Sequence, residues 1–302
     1  MVRVRDLRMR YGDTDVLTGV DFEIRAGEVL CLLGPNGAGK TTTIEILEGF
    51  RGRSAGEVEV LGEDPASAGD TWRARTGVVL QSWRDHPRWN ARRLLTQLGG
   101  FYAPYSTPER ARPWDVEELL DLVGLTEIAE QKIVTMSGGQ RRRLDVAMGI
   151  VGRPELLFLD EPTAGFDPQA RRDFHHLVHR LSDLEGTTIM LTTHDLDEAE
   201  KLATRVLVLA GGRIVADDSP AGLARRVSAE AEVQWTRGGE RFVHSTADAT
   251  GYVRELFAQY GTDIDDLEIR RASLEDAYLA LVQAHESGKA DAAAEAFVEV
   301  TR

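Results

Sequence analysis

Short, wholly apolar runs punctuate this chain, separated by longer stretches whose apolar residues recur at helical spacing. Val29-Leu30-Cys31-Leu32-Leu33 and Leu156-Leu157-Phe158-Leu159 are the clearest. Apolar runs this short predict strands covered on both faces, as in a parallel sheet. Further strand signals lie at Glu57–Leu61, at Gly77–Leu80 ending in Gln81, and at Glu155–Leu159, Thr187–Leu191, Arg205–Leu209 and Arg213–Ala216. Residues 2–8 alternate in strand fashion, Tyr11-Gly12 opens a turn, and another strand lies around Val20–Ile24. Helical spacing marks Thr43 to about Gly49, Arg92–Tyr102, Val116–Val123, Thr126–Gln131 and Arg141–Val151. Strands alternating with helices predict an α/β fold with a mostly parallel core sheet, and residues from about 82 to 150 form a helical insertion within it.

Past Ser219-Pro220 the pattern changes. Glu232–Thr236 and Arg241–Ser245 read as a hairpin around Gly238-Gly239, followed by a helix at Tyr252–Tyr260, a strand near Leu267–Arg270 and a helix at Leu274–Ala284. The organisation expected is therefore a domain over 1–218 and a small α+β appendix over 219–302. The Ala/Glu-rich stretch 287–302 reads as a loose helix or a disordered tail.

Composition narrows the class. An apolar content of 42% and a charged content of 28% are those of a globular protein with a real core. No stretch approaches the ~18 consecutive apolar residues of a membrane span, and the N-terminus lacks the apolar run of a signal peptide. The single cysteine, Cys31, lies in an apolar strand, which excludes a disulfide framework and suits a cytosolic setting. A net charge of −14 argues against broad binding to nucleic acid or anionic membranes, so membrane contact is expected to run through another protein.

The chemistry centres on Gly34-Pro35-Asn36-Gly37-Ala38-Gly39-Lys40-Thr41-Thr42, set between an apolar strand and a helix start. In that context G-x-x-x-x-G-K-[ST] means phosphate binding. Glycines let successive backbone N–H groups converge on one point, and the helix N-terminus adds partial positive charge. Lys40 supplies a full charge to the β- and γ-phosphates, and the Thr41 hydroxyl suits Mg²⁺.

Five features accompany it. Asp160 and Glu161 end an apolar strand, a carboxylate pair suited to holding Mg²⁺ indirectly and to activating water as general base. Gln81 ends another strand, within reach of metal and water. His194, in Thr192-Thr193-His194-Asp195, is suited to hydrogen-bond a γ-phosphate. Met136-Ser137-Gly138-Gly139-Gln140 opens a helix and offers a second anion site. Tyr11 is suited to stack on an adenine ring. Each has a plainer reading as turn, surface amide, structural histidine or core aromatic; their order along one chain favours the functional one.

That order, with S-G-G-Q paired to the phosphate loop, resembles the ATP-binding subunit of ABC transporters over about residues 2–216. The resemblance implies a P-loop NTPase core with an antiparallel β subdomain and a helical insertion. It implies a dimer, of this chain or with a paralogous ATPase subunit, in which ATP lies between one subunit's loop and the partner's S-G-G-Q. Asp167, in Ala164-Gly165-Phe166-Asp167-Pro168, matches the loop that crosses the interface. Met136 stands where the family usually has Leu. Trp83-Arg84-Asp85-His86-Pro87-Arg88-Trp89 lies where the family faces its transmembrane permease, and carries two Trp and two Arg in seven residues. Arg270-Arg271-Ala272-Ser273-Leu274-Glu275-Asp276-Ala277-Tyr278-Leu279 is similar to the C-terminal motif of bacterial drug- and lipid-type exporter ATPases, and doubles as an amphipathic helix. The implied function is ATP hydrolysis powering a separate permease at the cytoplasmic face of the membrane, for export of a drug-like or lipid-like substrate. The alternative is a soluble relative acting on nucleic acid or ribosomes. Such relatives usually carry two ATPase cores, a coiled coil or zinc-binding cysteines, and this chain has none of these. A non-catalytic nucleotide sensor is a third reading, weakened by the presence of Glu161 and His194.

Overall fold

The computed structural model describes residues 1–79, 87–163, 166–183, 185–227 and 231–286. By internal contacts the chain divides into two compact units, Met1–Ile214 and Val215–Arg302.

The first unit opens with β1 (Val2–Tyr11), β2 (Thr14–Ile24) and β3 (Val29–Leu33), then α1 (Lys40–Leu47), β4 (Ala55–Val60), α2 (Asp70–Arg73) and β5 (Thr76–Val79). Helices α3 (Ala91–Tyr102), α4 (Val116–Leu122) and α5 (Gly138–Ile150) follow in succession before β6 (Leu156–Asp160) restores the alternation. It continues through α6 (Pro168–Asp183), β7 (Thr188–Thr192), α7 (Leu196–Leu202) and β8 (Arg205–Ala210) to the first residues of β9 (Arg213–Asp218), which runs on into the second unit.

Six strands form the central sheet in the order β5-β6-β7-β3-β8-β9, with β5 through β8 paired in parallel. Every residue of β3 and β7 is buried, because both faces of the sheet are covered. A second, antiparallel sheet has the order β2-β1-β4. Its inward residues Val2, Val4, Leu7, Val20, Phe22, Val58 and Val60 share one core with Leu30, Leu32, Phe158 and Leu207 of the central sheet. Trp72, 1% exposed, closes that core and donates its indole N–H to the Val60 carbonyl at 2.7 Å. Among the described residues no helix is long and apolar enough to cross a membrane.

Several boundaries differ from the sequence reading. The helix expected over Thr126–Gln131 is a single 3₁₀ turn, Thr126–Ile128, closed by bonds such as Ala129 N–H to Thr126 C=O. Gly124, at φ +66°, ends α4 just before it, leaving too short a segment for an α-helix. The expected strand ending Gly77–Leu80 is described as Thr76–Val79, and its last residue lies outside the described residues, as does the expected tail 287–302. Helix α6, absent from the sequence reading, buries Ala170, Phe174, Leu177, Val178 and Leu181 along one face.

The second unit continues with α8 (Pro220–Val227), β10 (Ala231–Arg237), β11 (Glu240–Thr246), α9 (Ala249–Tyr260), β12 (Asp265–Arg270) and α10 (Leu274–Glu286). The expected hairpin turns at Gly238 and Gly239, both in the left-handed region, and β12 adds to its other side. Trp235 anchors its small core, stacked on Phe242 at 5.4 Å and tilted against Tyr252. Leu274, Ala277 and Leu281 are the buried face of α10, which lies against α8.

At the C-terminal end of α1, Glu48 is only 9% exposed; burial, with Asp160 and Glu45 nearby, pushes its carboxyl up to about 8 from 4.5. The folded state therefore holds a proton there that the unfolded chain releases at lower pH, and stability falls as pH rises from about 4.5 to about 8. Glu48→Gln should be more stable than the parent by a margin that grows over this window, to at most about 4–5 kcal/mol above it. Urea unfolding at pH 5 and pH 8.5 measures it; a pH-independent difference would contradict this account.

Candidate functional site

Because β6, β7 and β3 are neighbours and parallel, their carboxyl ends open side by side, where α/β sheets bind ligands. The loop after β3 carries residues 34–39, the turn after β6 carries Glu161, and the turn after β7 carries His194.

The loop after β3 is held by its own backbone. Ala38 N–H reaches the Pro35 carbonyl at 3.2 Å, and Thr43 donates both N–H and hydroxyl to Gly39 C=O at 2.8 Å. Glycine is required at two points for different reasons. A Cβ on Gly34 would stand 2.3 Å from Leu209 O, and Gly39 combines φ +105° with a Cβ position 2.6 Å from Leu17. Lys40, 8% exposed, bends back so that its ammonium donates to Gly34 C=O at 2.7 Å and Pro35 C=O at 3.2 Å. Burial pulls its pKa below the usual lysine value, against the pull of Glu161 and Asp160. A buried cation with only neutral carbonyls as hydrogen-bond partners, at a helix N-terminus, fits a phosphate. Asn36, Gly37 and Thr41 are exposed at the loop surface, and Thr42 is half-buried.

Thr192 ties the acidic end of β6 to β7. Its hydroxyl donates to Asp160 Oδ1 at 2.5 Å and accepts from Glu161 N–H at 3.2 Å, while its carbonyl accepts from the same N–H at 3.1 Å. Glu161 has φ +45°, left-handed backbone that a non-glycine residue occupies only when its surroundings hold it there. A further hold comes from Arg142 of α5, whose buried Nε–H donates to Pro162 C=O at 2.9 Å. His194 stands beside this turn, largely exposed, with Nδ1 3.3 Å from Glu161 Oε1. A carboxylate next to an imidazole can orient a water and a phosphate oxygen. Thr41 and Asp160 are an oxygen donor set of the kind Mg²⁺ takes.

The sequence-derived residues thus divide into groups. Lys40, Asp160, Glu161 and His194 converge at the strand ends, the first three through the field that Asp160 and Glu161 exert on Lys40. Ser137 forms a capping box with Gln140, accepting its N–H at 3.3 Å and donating its own N–H to Gln140 Oε1 at 2.9 Å. Ser137 and Gly138 are exposed at the start of α5, and Gly139 and Gln140 half-buried. Asp167 is an exposed cap of α6, accepting from Gln169 and Ala170 N–H. Tyr11 is 39% exposed, with the Arg51 guanidinium over its ring at 5.2 Å. Gln81 and Trp83 lie outside the described residues; Trp89 is covered by the Arg93 guanidinium at 4.5 Å. In the sequence, Thr192 stands out only as a neighbour of His194 and Arg142 carries no role; that both brace the site follows from contacts between elements distant in sequence.

The family profile described as ABC transporter matches residues 17–164. Nod factor export ATP-binding protein I of Burkholderia lata is 40% identical over 221 residues, 72% of this chain and 71% of that protein. This chain belongs to the ABC transporter family of ATP-binding proteins. Daunorubicin resistance ATP-binding protein DrrA2 of Streptomyces coeruleorubidus is 34% identical over 310 residues, covering 93% of this chain and 94% of the relative. The fold agrees with that of solved cassettes. A bacterial ABC transporter cassette solved as a dimer aligns at TM-score 0.61 and 23% identity over 72% of this chain and 98% of its own. The ADP conformation of another ATP-binding cassette gives 0.62 and 23% over 72% and 91%. As an ABC ATPase, homologous to ATPases of exporters, the chain binds ATP.

In this ABC ATPase, Thr192→Val leaves Asp160 and the Glu161 N–H without their shared hydroxyl. It should destabilise the fold by about 1–3 kcal/mol and slow ATP turnover more than it weakens ATP binding. Urea unfolding and steady-state kinetics measure both; unchanged turnover would contradict the bracing role.

Proposed function

We propose that this chain hydrolyses ATP at sites shared between two ATPase subunits, and that their closing and opening drives a separate transmembrane permease exporting a drug-like or lipid-like molecule. The observation that carries the catalytic part is Glu161, held in strained backbone and facing His194, beside the buried ammonium of Lys40. Glu161 takes the proton of the attacking water, His194 hydrogen-bonds the transferred phosphoryl oxygens, and Lys40 leaves its carbonyl partners for the phosphates. Thr41, with Asp160 behind it, would hold Mg²⁺, which neutralises phosphate charge when bound. Gly34 to Thr42 cradle the phosphates and Tyr11 meets the adenine. Gln81, by its motif position, completes the metal and water contacts.

The exposed Ser137 and Gly138 of one subunit, with Gly139 and Gln140, face the ATP of the other, and Asp167 lies at their interface. Supporting this, the Ser137 capping box leaves the start of α5 ordered and open to solvent. ATP binds the closed pair best and so shifts the population toward it. The boundary we propose, 1–218 for the ATPase domain and 219–302 for an accessory domain, follows the change of sequence pattern at Ser219-Pro220. The helical insertion spans about 82–150.

Export, and peripheral attachment to the membrane through the permease, rest on the relatives named for Nod factor export and daunorubicin resistance. A concave surface suited to the permease lies beside α3. Its cavity of about 450 Å³ is lined by Phe50, Trp72, Leu98, Tyr102 and Met148, with Phe50 67% exposed. An exposed aromatic such as Phe50 at the edge of a concave apolar surface suits a protein partner. The acidic balance, −14, disfavours the reading as a nucleic-acid or ribosome factor.

Glu161→Gln should retain ATP binding, lose about 10²-fold or more of turnover and accumulate as an ATP-bound dimer in size-exclusion chromatography with light scattering. A strictly monomeric variant at saturating MgATP would sink the shared-site mechanism. Affinity purification of the chain from its own detergent-solubilised membranes should bring a permease with it; only ribosomal partners would promote the alternative.

A further inference from the structure

The sheet of the second unit has two outer edges, and they are built differently. On β12 the register with β10 shifts between Gln234 and Thr236, Asp266 sits in left-handed backbone at φ +48°, and Asp265, Asp266 and Glu268 line the strand. Irregular backbone and charge of this kind keep a further strand from adding. The β11 edge lacks these devices. Its register with β10 runs without a shift from Ala231↔Thr246 to Arg237↔Glu240, and its charges, Glu240 and Arg241, lie together at the turn. Apart from half-buried Phe242 and Thr246 the strand is exposed, and Val243 at its centre is 56% exposed. Among the described residues no strand pairs with its outer edge.

The turn fixes which backbone groups that edge offers. Gly238 and Gly239 both have positive φ, a two-residue turn in which Arg237 and Glu240 form the hydrogen-bonded pair. Such pairs alternate along an antiparallel ladder. Glu240, Phe242, His244 and Thr246 therefore bond to β10, and Arg241, Val243 and Ser245 turn their N–H and C=O outward. We infer that this edge pairs with the same edge of a second copy of the chain, antiparallel about Val243. That register pairs every residue of β11. Val243 meets its own copy, Arg241 meets Ser245, Phe242 meets His244, and Glu240 meets Thr246. The outward residues of the two copies then satisfy one another with about six backbone hydrogen bonds. No like charges face each other, and the two Val243 side chains cover one another. Phe242, stacked on Trp235, and His244, stacked on Tyr252, continue the face that packs on α9 across the pair. The pairing needs no nucleotide and is separate from the shared ATP site. A contact of this size is weak by itself, so covalent capture reads it best.

Cysteine capture in the full-length, nucleotide-free chain tests it; the native Cys31 is buried and stays out of the reaction. Facing residues of a hydrogen-bonded pair stand about 5.5 Å apart at Cα, within reach of a disulfide. Under mild oxidation Val243→Cys should form a covalent dimer at least tenfold faster than Ile269→Cys, which is 44% exposed on the opposite edge. Adding Ser245→Pro to Val243→Cys should cut that rate at least tenfold, since it removes an outward N–H and spares the ladder to β10. In the unmodified parent, hydrogen–deuterium exchange in peptides covering 240–246 should slow as protein concentration rises. Equal capture rates for Val243→Cys and Ile269→Cys, or no effect of Ser245→Pro, would overturn the inference. So would exchange in 240–246 that is slow at every concentration, because another segment of the chain, such as 287–302, would then hold the edge. With no nucleotide present, failure of the shared ATP site would leave these results unchanged.

Discussion

A lysine ammonium buried with only carbonyls to hold it is the constraint from which the site follows. Lys40 sits where the strand β3 ends and α1 begins, with Gly34 and Pro35 carbonyls as its hydrogen-bond partners. Desolvation weakens its charge, and a phosphate at the helix N-terminus is the group that relieves it. The rest of the first unit makes that arrangement possible. The fully buried parallel strands fix the loop's two ends, and glycine at positions 34 and 39 lets backbone pass where a side chain would collide.

The acidic half of the site is held by the neighbouring strand rather than by its own loop. Two residues at the β7 end each answer a group at the end of β6: Thr192 holds Asp160, and His194 meets Glu161. This bracing keeps a carboxylate in left-handed backbone, at a cost of order 1–3 kcal/mol. Placed so, Glu161 points to His194 and away from the sheet core.

The phosphate loop was legible because its requirements, glycine, lysine and a preceding apolar strand, are local in sequence. The parallel strands were legible because burial on both faces leaves them wholly apolar. The bracing was not, since the roles of Thr192 and Arg142 depend on which elements lie side by side, an order that spacing along the chain does not encode. Helix α6 was hidden by its three histidines and arginines, which dilute an apolar face visible once Ala170, Phe174, Leu177 and Leu181 are seen together. Tyr11 illustrates the opposite case: its motif position suggests a stacking platform, and its exposed ring carries Arg51 over one face. The S-G-G-Q stretch was legible as a helix start, and its capping box accounts for Ser137 and Gln140 within one chain without a ligand. In the function proposed above, its role belongs to the pair of subunits.

Mixing two inactive variants tests that meaning most directly. Lys40→Ala disables the phosphate loop and Ser137→Arg the S-G-G-Q. If each ATP lies between them across two subunits, a mixed pair retains one intact site and one doubly damaged one. Equal amounts of the two variants, combined with the permease, should then recover about a quarter of the parent ATP turnover at most, since half the pairs are mixed and each has one working site of two. A mixture as inactive as its parts, or a Ser137→Arg chain that turns over ATP normally alone, would contradict the shared site.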